Sequence, residues 1–265
     1  MKCATTSLCD ILAAHPHVFV ANPKEPDFFC DDTVFARGWK WYESLFDGAD
    51  DKVAIGEGST GYTKALLHPE SAERIAKYLP DAKLIYIVRH PLERIESHWL
   101  HLIAAGLEVP PLREALKQWP HIIDTSLYWK QISRYRDFYP DNNLLVLFFE
   151  DFVKSPRSAI EHAYRFLGVA PELDTANPRQ ASHVSATFRL DTPLLRSLRR
   201  LPGMRAAKKI VPGIAHSVIK LLQRSLPARP TWPADLRESI AAHVNEDARM
   251  FLEFHGKAAD YWQLN

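Results

Sequence analysis

Four short aliphatic runs, separated by longer segments of helical period, do most to limit the folds open to this chain. Val18–Ala21, Val53–Gly56, Lys83–Val88 and Leu144–Phe149 are brief, rich in Val, Ile and Leu, and bounded by polar or proline-containing sequence. Such runs read as buried strands. Between them the spacing predicts helices over about Phe35–Leu45, Lys64–Tyr78, Leu92–Ala105 and Leu127–Phe138, and Pro156 opens a further helix to Leu167 that Gly168 closes. This alternation predicts an α/β fold, a parallel sheet flanked by helices on both faces, with ligands taken at the carboxyl ends of the strands.

With 265 residues, 46% of them apolar, one sizeable core is affordable. The expectation is a single domain over 1–265: an α/β core at 1–170, a proline-interrupted lid or flap at 171–233, and a C-terminal helix over Ala234–Glu253 with a tail to 265. A net charge of +1 makes no case for a nucleic-acid partner. Between Thr192 and Ala234, however, lie nine Lys or Arg and no Asp or Glu. Within that stretch Ile214–Leu226 would suit peripheral contact with a membrane or an anionic acceptor; an ordinary solvated helix face is the plainer account. Cys3, Cys9 and Cys30 are odd in number and spaced unlike a zinc set. They point to a reducing compartment. No apolar run approaches the ~18 residues of a membrane span, so a soluble, cytoplasmic protein is expected.

The segment with most chemistry is Met1-Lys2-Cys3-Ala4-Thr5-Thr6-Ser7-Leu8, which runs into an apolar helical pattern. A lysine and a Thr-Thr-Ser run at a helix start offer an ammonium, hydroxyls and backbone N–H groups to a polyanion, where the helix dipole also favours negative charge. It is not the Walker pattern, since no glycine precedes the lysine and Lys2 stands three residues before the hydroxyl pair. A competing reading is that Thr5 or Ser7 only caps the helix. Cys3, beside a lysine and a helix start, is expected to have a lowered pKa.

Lys2–Leu8 resembles the 5′-phosphosulfate loop of sulfotransferases that use 3′-phosphoadenosine 5′-phosphosulfate (PAPS). Arg89-His90-Pro91-Leu92-Glu93-Arg94-Ile95-Glu96-Ser97 is similar to their 3′-phosphate motif, and Lys24-Glu25-Pro26-Asp27-Phe28-Phe29 to the Lys-Glu-Pro-x-Phe-Phe segment of the heparan-sulfate type and its bacterial relatives. The resemblance covers roughly the first 170 residues. It implies a P-loop-like fold, PAPS as co-substrate without a metal, and a hydroxyl or amine acceptor on a carbohydrate, lipid or metabolite.

On that resemblance Lys2 steadies the departing phosphate, Lys2, Ala4, Thr5, Thr6 and Ser7 bind the 5′ end of the nucleotide, and Arg89 and Ser97 bind the 3′-phosphate. Glu25 is the implied general base; a solvated Lys24–Glu25 pair in a turn is the bland alternative. Asp27 stands where relatives often have His. Glu57-Gly58-Ser59-Thr60-Gly61-Tyr62 resembles the family's Glu-Lys-(Ser/Thr)-Pro-x-Tyr segment, with Gly58 for its lysine and Thr60 for its proline; Lys64 is a candidate replacement for the lost cation. Arg89 could instead pair with a carboxylate, Arg94 could be a structural ion-pair partner, and Tyr128 could be near the nucleotide or in the core. His15, His17, His90, His98 and His101 are weaker candidates for the base. Arg179, Arg189 and Arg196 are possible late contacts to the nucleotide. Relatives carry a strand just before this lysine, so the expectation is that Met1 is an internal methionine and the natural chain begins upstream. An atypical small-molecule kinase and a degenerate nucleotide-binding module are the rival functions, and oligomeric state is not legible.

Overall fold

In the computed structural model, residues 1–171 and 230–264 are described in full, and 189–191 and 223–225 by their backbone. α1 (Thr5–Ala13) leads into β1 (Val18–Val20); two short helices, α2 (Asp32–Phe35) and α3 (Trp39–Glu43), precede β2 (Ala54–Gly56). α4 (Ser71–Tyr78) then leads to β3 (Leu84–Val88), and α5 (Pro91–Ala104), α6 (Leu112–Gln118), α7 (His121–Asp124) and α8 (Tyr128–Arg136) follow before β4 (Leu144–Phe148). α9 (Phe149–Lys154) and α10 (Pro156–Leu167) complete the first 170 residues; β5 (Arg189–Asp191) and β6 (Gln223–Ser225) form an antiparallel pair, and α11 (Ala234–Phe254) is the longest helix described.

The strands fall close to their predicted positions, and both main pairings are parallel: Val18 opposite Ala54 through Val20 opposite Gly56, and Leu84 opposite Leu144 through Val88 opposite Phe148. Among the described residues these are two separate hydrogen-bonded pairs rather than one continuous sheet. Packing joins them. Leu8, Ile11 and Leu12 of α1 share a buried cluster with Val18 of β1, Ile87 of β3 and Leu145 and Leu147 of β4, closed by Phe152, Ile160, Ala163 and Tyr164 of α9 and α10.

Strand periodicity explains the second layer. Val88 and Phe148, on the opposite face from Ile87 and Leu147, enter a larger cluster with Leu92 and Ile95 of α5, Tyr128 and Ile132 of α8, and Val244, Phe251 and Leu252 of α11. β3 and β4 are thus covered on both faces, as parallel strands are. A third, aromatic cluster gathers Phe28, Phe29, Tyr42, Ile75, Tyr135 and Tyr139.

Two predicted helices are shorter than expected. Phe35–Leu45 is split at Gly38, whose φ of 83° interrupts the helix. Lys64–Tyr78 is helical only in α4, from Ser71 on, with turns over 64–70, since Pro69 precludes a continuous ladder. Pro156–Leu167 matches its prediction and ends in Gly168 at φ 84°. Among the described residues no helix is long and apolar enough to cross a membrane. Most of the lid expectation for 171–233, most of the Ile214–Leu226 amphipathic pattern and the side chains of Arg179, Arg189 and Arg196 lie outside the described residues.

Candidate active site

Met1–Ala4 forms a turn rather than a strand, with Lys2 at φ 66° and Ala4 at φ 67°. Two non-glycine residues in the left-handed region so close together mark a locally demanding backbone. Ala4 is the N-cap of α1 and has no side-chain oxygen to offer, so neither Thr5 nor Ser7 is the capping residue. The first-turn N–H groups of a helix have no intrahelical acceptor, which leaves this end suited to an anion. Ser7 is buried, Thr5 half-buried and Thr6 exposed.

The Lys2 ammonium is held below its usual range, by burial first and then by the charge of Arg89. The Cys3 thiol moves against expectation: burial pushes it up, outweighing the neighbouring cations that lower it. With 1% exposure it is a core side chain.

β3 delivers Arg89 at its carboxyl end, as predicted. The Tyr128 hydroxyl donates to the Arg89 carbonyl at 2.6 Å, and the Glu150 carboxylate accepts the His90 N–H at 2.7 Å. Tyr128 is therefore both a core residue and the anchor of this turn. The Arg89 guanidinium, over the Phe149 ring at 4.7 Å, bonds Glu93 at 2.5 Å. The carboxylate pairing is thus present, to a group that is itself half exposed. Glu93, Ser97 and His101 recur every four residues on α5 and share one stripe of the helix. His101 is held below its usual pKa, first by burial and then by Lys2 and Lys64, with Glu25 opposing. Lys2, Lys64 and Glu25 thus all act on His101, and Arg89 acts on Lys2. Among the described residues Arg94 has no ion-pair partner: it is buried and bonds the Ser126 hydroxyl at 2.5 Å, the Ile122 carbonyl and His98.

Glu25 follows β1 in a loop anchored by Phe28 and Phe29, both 1% exposed, with Phe28 stacked on Tyr42 at 4.7 Å. Its carboxylate is held at both oxygens. Lys24 Nζ donates to Oε1 at 2.5 Å and Thr60 Oγ1 to Oε2 at 3.1 Å. Burial acts to raise the Glu25 carboxyl, but the bond and charge of Lys24, with help from Thr60, hold it below the usual range. Behind it, Glu57 accepts the Ser59 N–H at 2.6 Å and the Tyr62 hydroxyl, and the Ser59 hydroxyl accepts the Asp27 N–H at 2.8 Å. Burial raises the Glu57 carboxyl despite these donors.

Two of the histidines, His15 and His98, take structural places. His15 Nε2 meets the Ala170 carbonyl at 2.8 Å, and His98 is buried and pushed down to about 2, first by burial and then by Arg94. Thr60 and Glu150 have roles that motif reading did not assign, because these arise from contacts 35 and 60 positions away in sequence; Glu57 holds near neighbours, Ser59 and Tyr62.

A held carboxylate thus follows β1 and an arginine follows β3, while Lys2 precedes α1 within reach of the Arg89 charge. Residues 19–172 match the sulfotransferase family, and the chain belongs to that family. It is 28% identical over 176 residues to human heparan sulfate glucosamine 3-O-sulfotransferase 6, covering 63% of this chain and 50% of that protein. Mouse bifunctional heparan sulfate N-deacetylase/N-sulfotransferase 3 is 27% identical over 194 residues, covering 64% and 21% respectively. The chain therefore spans half or less of these relatives. A sulfotransferase from Alicyclobacillus acidocaldarius has the same fold, with a TM-score of 0.70 at 22% identity over 99% of this chain and 95% of that one.

Proposed function

We propose that the chain transfers a sulfuryl group from PAPS to a hydroxyl or amine of a carbohydrate, lipid or metabolite. The observation that carries this reading is the carboxylate of Glu25, held at both oxygens, with the Met1 ammonium beside Lys2 among the charges that act on it. PAPS supplies the sulfuryl group. Glu25 takes the acceptor proton as the acceptor atom bonds to sulfur; the sulfur–oxygen bond to phosphate breaks, and its electron pair remains on the phosphate oxygen, where Lys2 and the N–H groups at Thr5, Thr6 and Ser7 offset the charge. Arg89 exchanges Glu93 for the 3′-phosphate, with Ser97 on the same stripe of α5.

The relatives' names make a glucosamine hydroxyl or amine the first acceptor to try. Unpaired Cys3, Cys9 and Cys30 favour a reducing, cytoplasmic setting. The test is mass spectrometry of heparan sulfate, N-desulfated heparin, lipid and small alcohol acceptors incubated with PAPS. Gain of one sulfuryl group supports the reading; ATP binding with phosphoryl transfer and no sulfation would refute it in favour of a kinase.

A further inference from the structure

Thr60 and Gly58 occupy positions where the chain departs from the motif it resembles, and both touch the base loop. Gly58 N–H donates to the Lys24 carbonyl at 2.8 Å, while Lys24 Nζ donates back to the Gly58 carbonyl at 3.1 Å. A Cβ on Gly58 would lie 2.6 Å from Cys9 Sγ and 3.4 Å from Lys24 Nζ, so the absence of a side chain is what lets α1 and the lysine head meet there. The same ammonium reaches Glu25 Oε1, and the Thr60 hydroxyl, two residues past Gly58, reaches Oε2.

We propose that Lys24 and Thr60 are positioning residues forming a two-point clamp on Glu25, which fixes the carboxylate's orientation while leaving a lone pair on each oxygen for the acceptor proton. This rests on Glu25 being the base. A carboxylate oxygen can accept two hydrogen bonds, so one donor on each does not block proton uptake. Two donors on different loops, one from the base loop and one from the turn after β2, restrict rotation that a single partner would permit. The other titratable groups that face Glu25 are the Met1 ammonium, Cys9 of α1 and His101 of α5. Glu57 serves the clamp from behind by holding the Ser59 N–H, one residue before Thr60.

The test is NMR titration of the full chain labelled at the glutamate carboxyl carbons, with Glu25→Gln used to assign the Glu25 signal. The midpoint should move to higher pH in Lys24→Met and, by less, in Thr60→Val, while Thr60→Ser restores the wild-type midpoint. Thr60→Val keeps the side-chain shape, so its folded spectrum guards against Lys24→Met failing to fold. Midpoints in both variants equal to wild type would overturn the clamp. Undiminished sulfate transfer by Glu25→Gln would overturn the base assignment instead, and the two failures are read from different measurements.

Discussion

Gly58→Ala probes the packing that brings α1 against the base loop. The added methyl would sit 2.6 Å from Cys9 Sγ, nearer than relaxed side chains approach, and 3.4 Å from Lys24 Nζ. Cys9 lies within α1, where one of the three side-chain rotamers clashes with the preceding turn, so its sulfur has little room to retreat. Overpacking of this kind costs about 1–3 kcal/mol. Urea unfolding, with slopes compared to confirm unchanged exposure, measures it. Cys9→Ala removes the clashing atom, so the double variant should recover most of the loss, with a coupling of about 0.5–3 kcal/mol between the two sites. A Gly58→Ala variant within about 0.5 kcal/mol of wild type, or a loss indifferent to Cys9→Ala, would refute the contact.

Tyr128→Phe removes the hydroxyl that holds the Arg89 carbonyl, leaving a buried acceptor unpaired at a cost of about 1–3 kcal/mol; calorimetric titration should show weaker binding of 3′-phosphoadenosine 5′-phosphate as the turn loosens. Arg89→Lys should weaken the same binding, because an ammonium cannot form the two-pronged contact, and unchanged affinity would remove Arg89 from the phosphate site. His98 should make the fold acid-sensitive. Its folded pKa of about 2 lies below the unfolded value near 6.5, so the unfolded state gains a proton first as pH falls. Stability present above about pH 6.5 is then lost at about 1.4 kcal/mol per pH unit from this residue. A His98 ring signal titrating near neutrality would contradict that.

Much of this was legible in sequence because short-range rules governed it. Leu84–Val88 and Leu144–Phe148 are set by aliphatic runs, and Pro156–Leu167 by a proline at its start and glycine after its end. Gly38 and Pro69 carried the information that would have divided the two overlong helices, but periodicity concealed it. Cys3 was misjudged because its surroundings, not its sequence neighbours, set its acidity: burial by a cluster assembled from six elements outweighs the Met1 ammonium and the arginines that lower it. The Glu25 motif showed where a base could stand. What holds it, Thr60 35 residues away, exists only once β1 and β2 are paired.

Sulfate transfer from sulfur-labelled PAPS by wild type and Glu25→Gln, with nucleotide binding measured on both, tests the central claim most directly. A general base contributes about 10²- to 10⁴-fold, so Glu25→Gln should lose transfer on that scale while binding 3′-phosphoadenosine 5′-phosphate as wild type does. Transfer at the wild-type rate by Glu25→Gln would contradict the account.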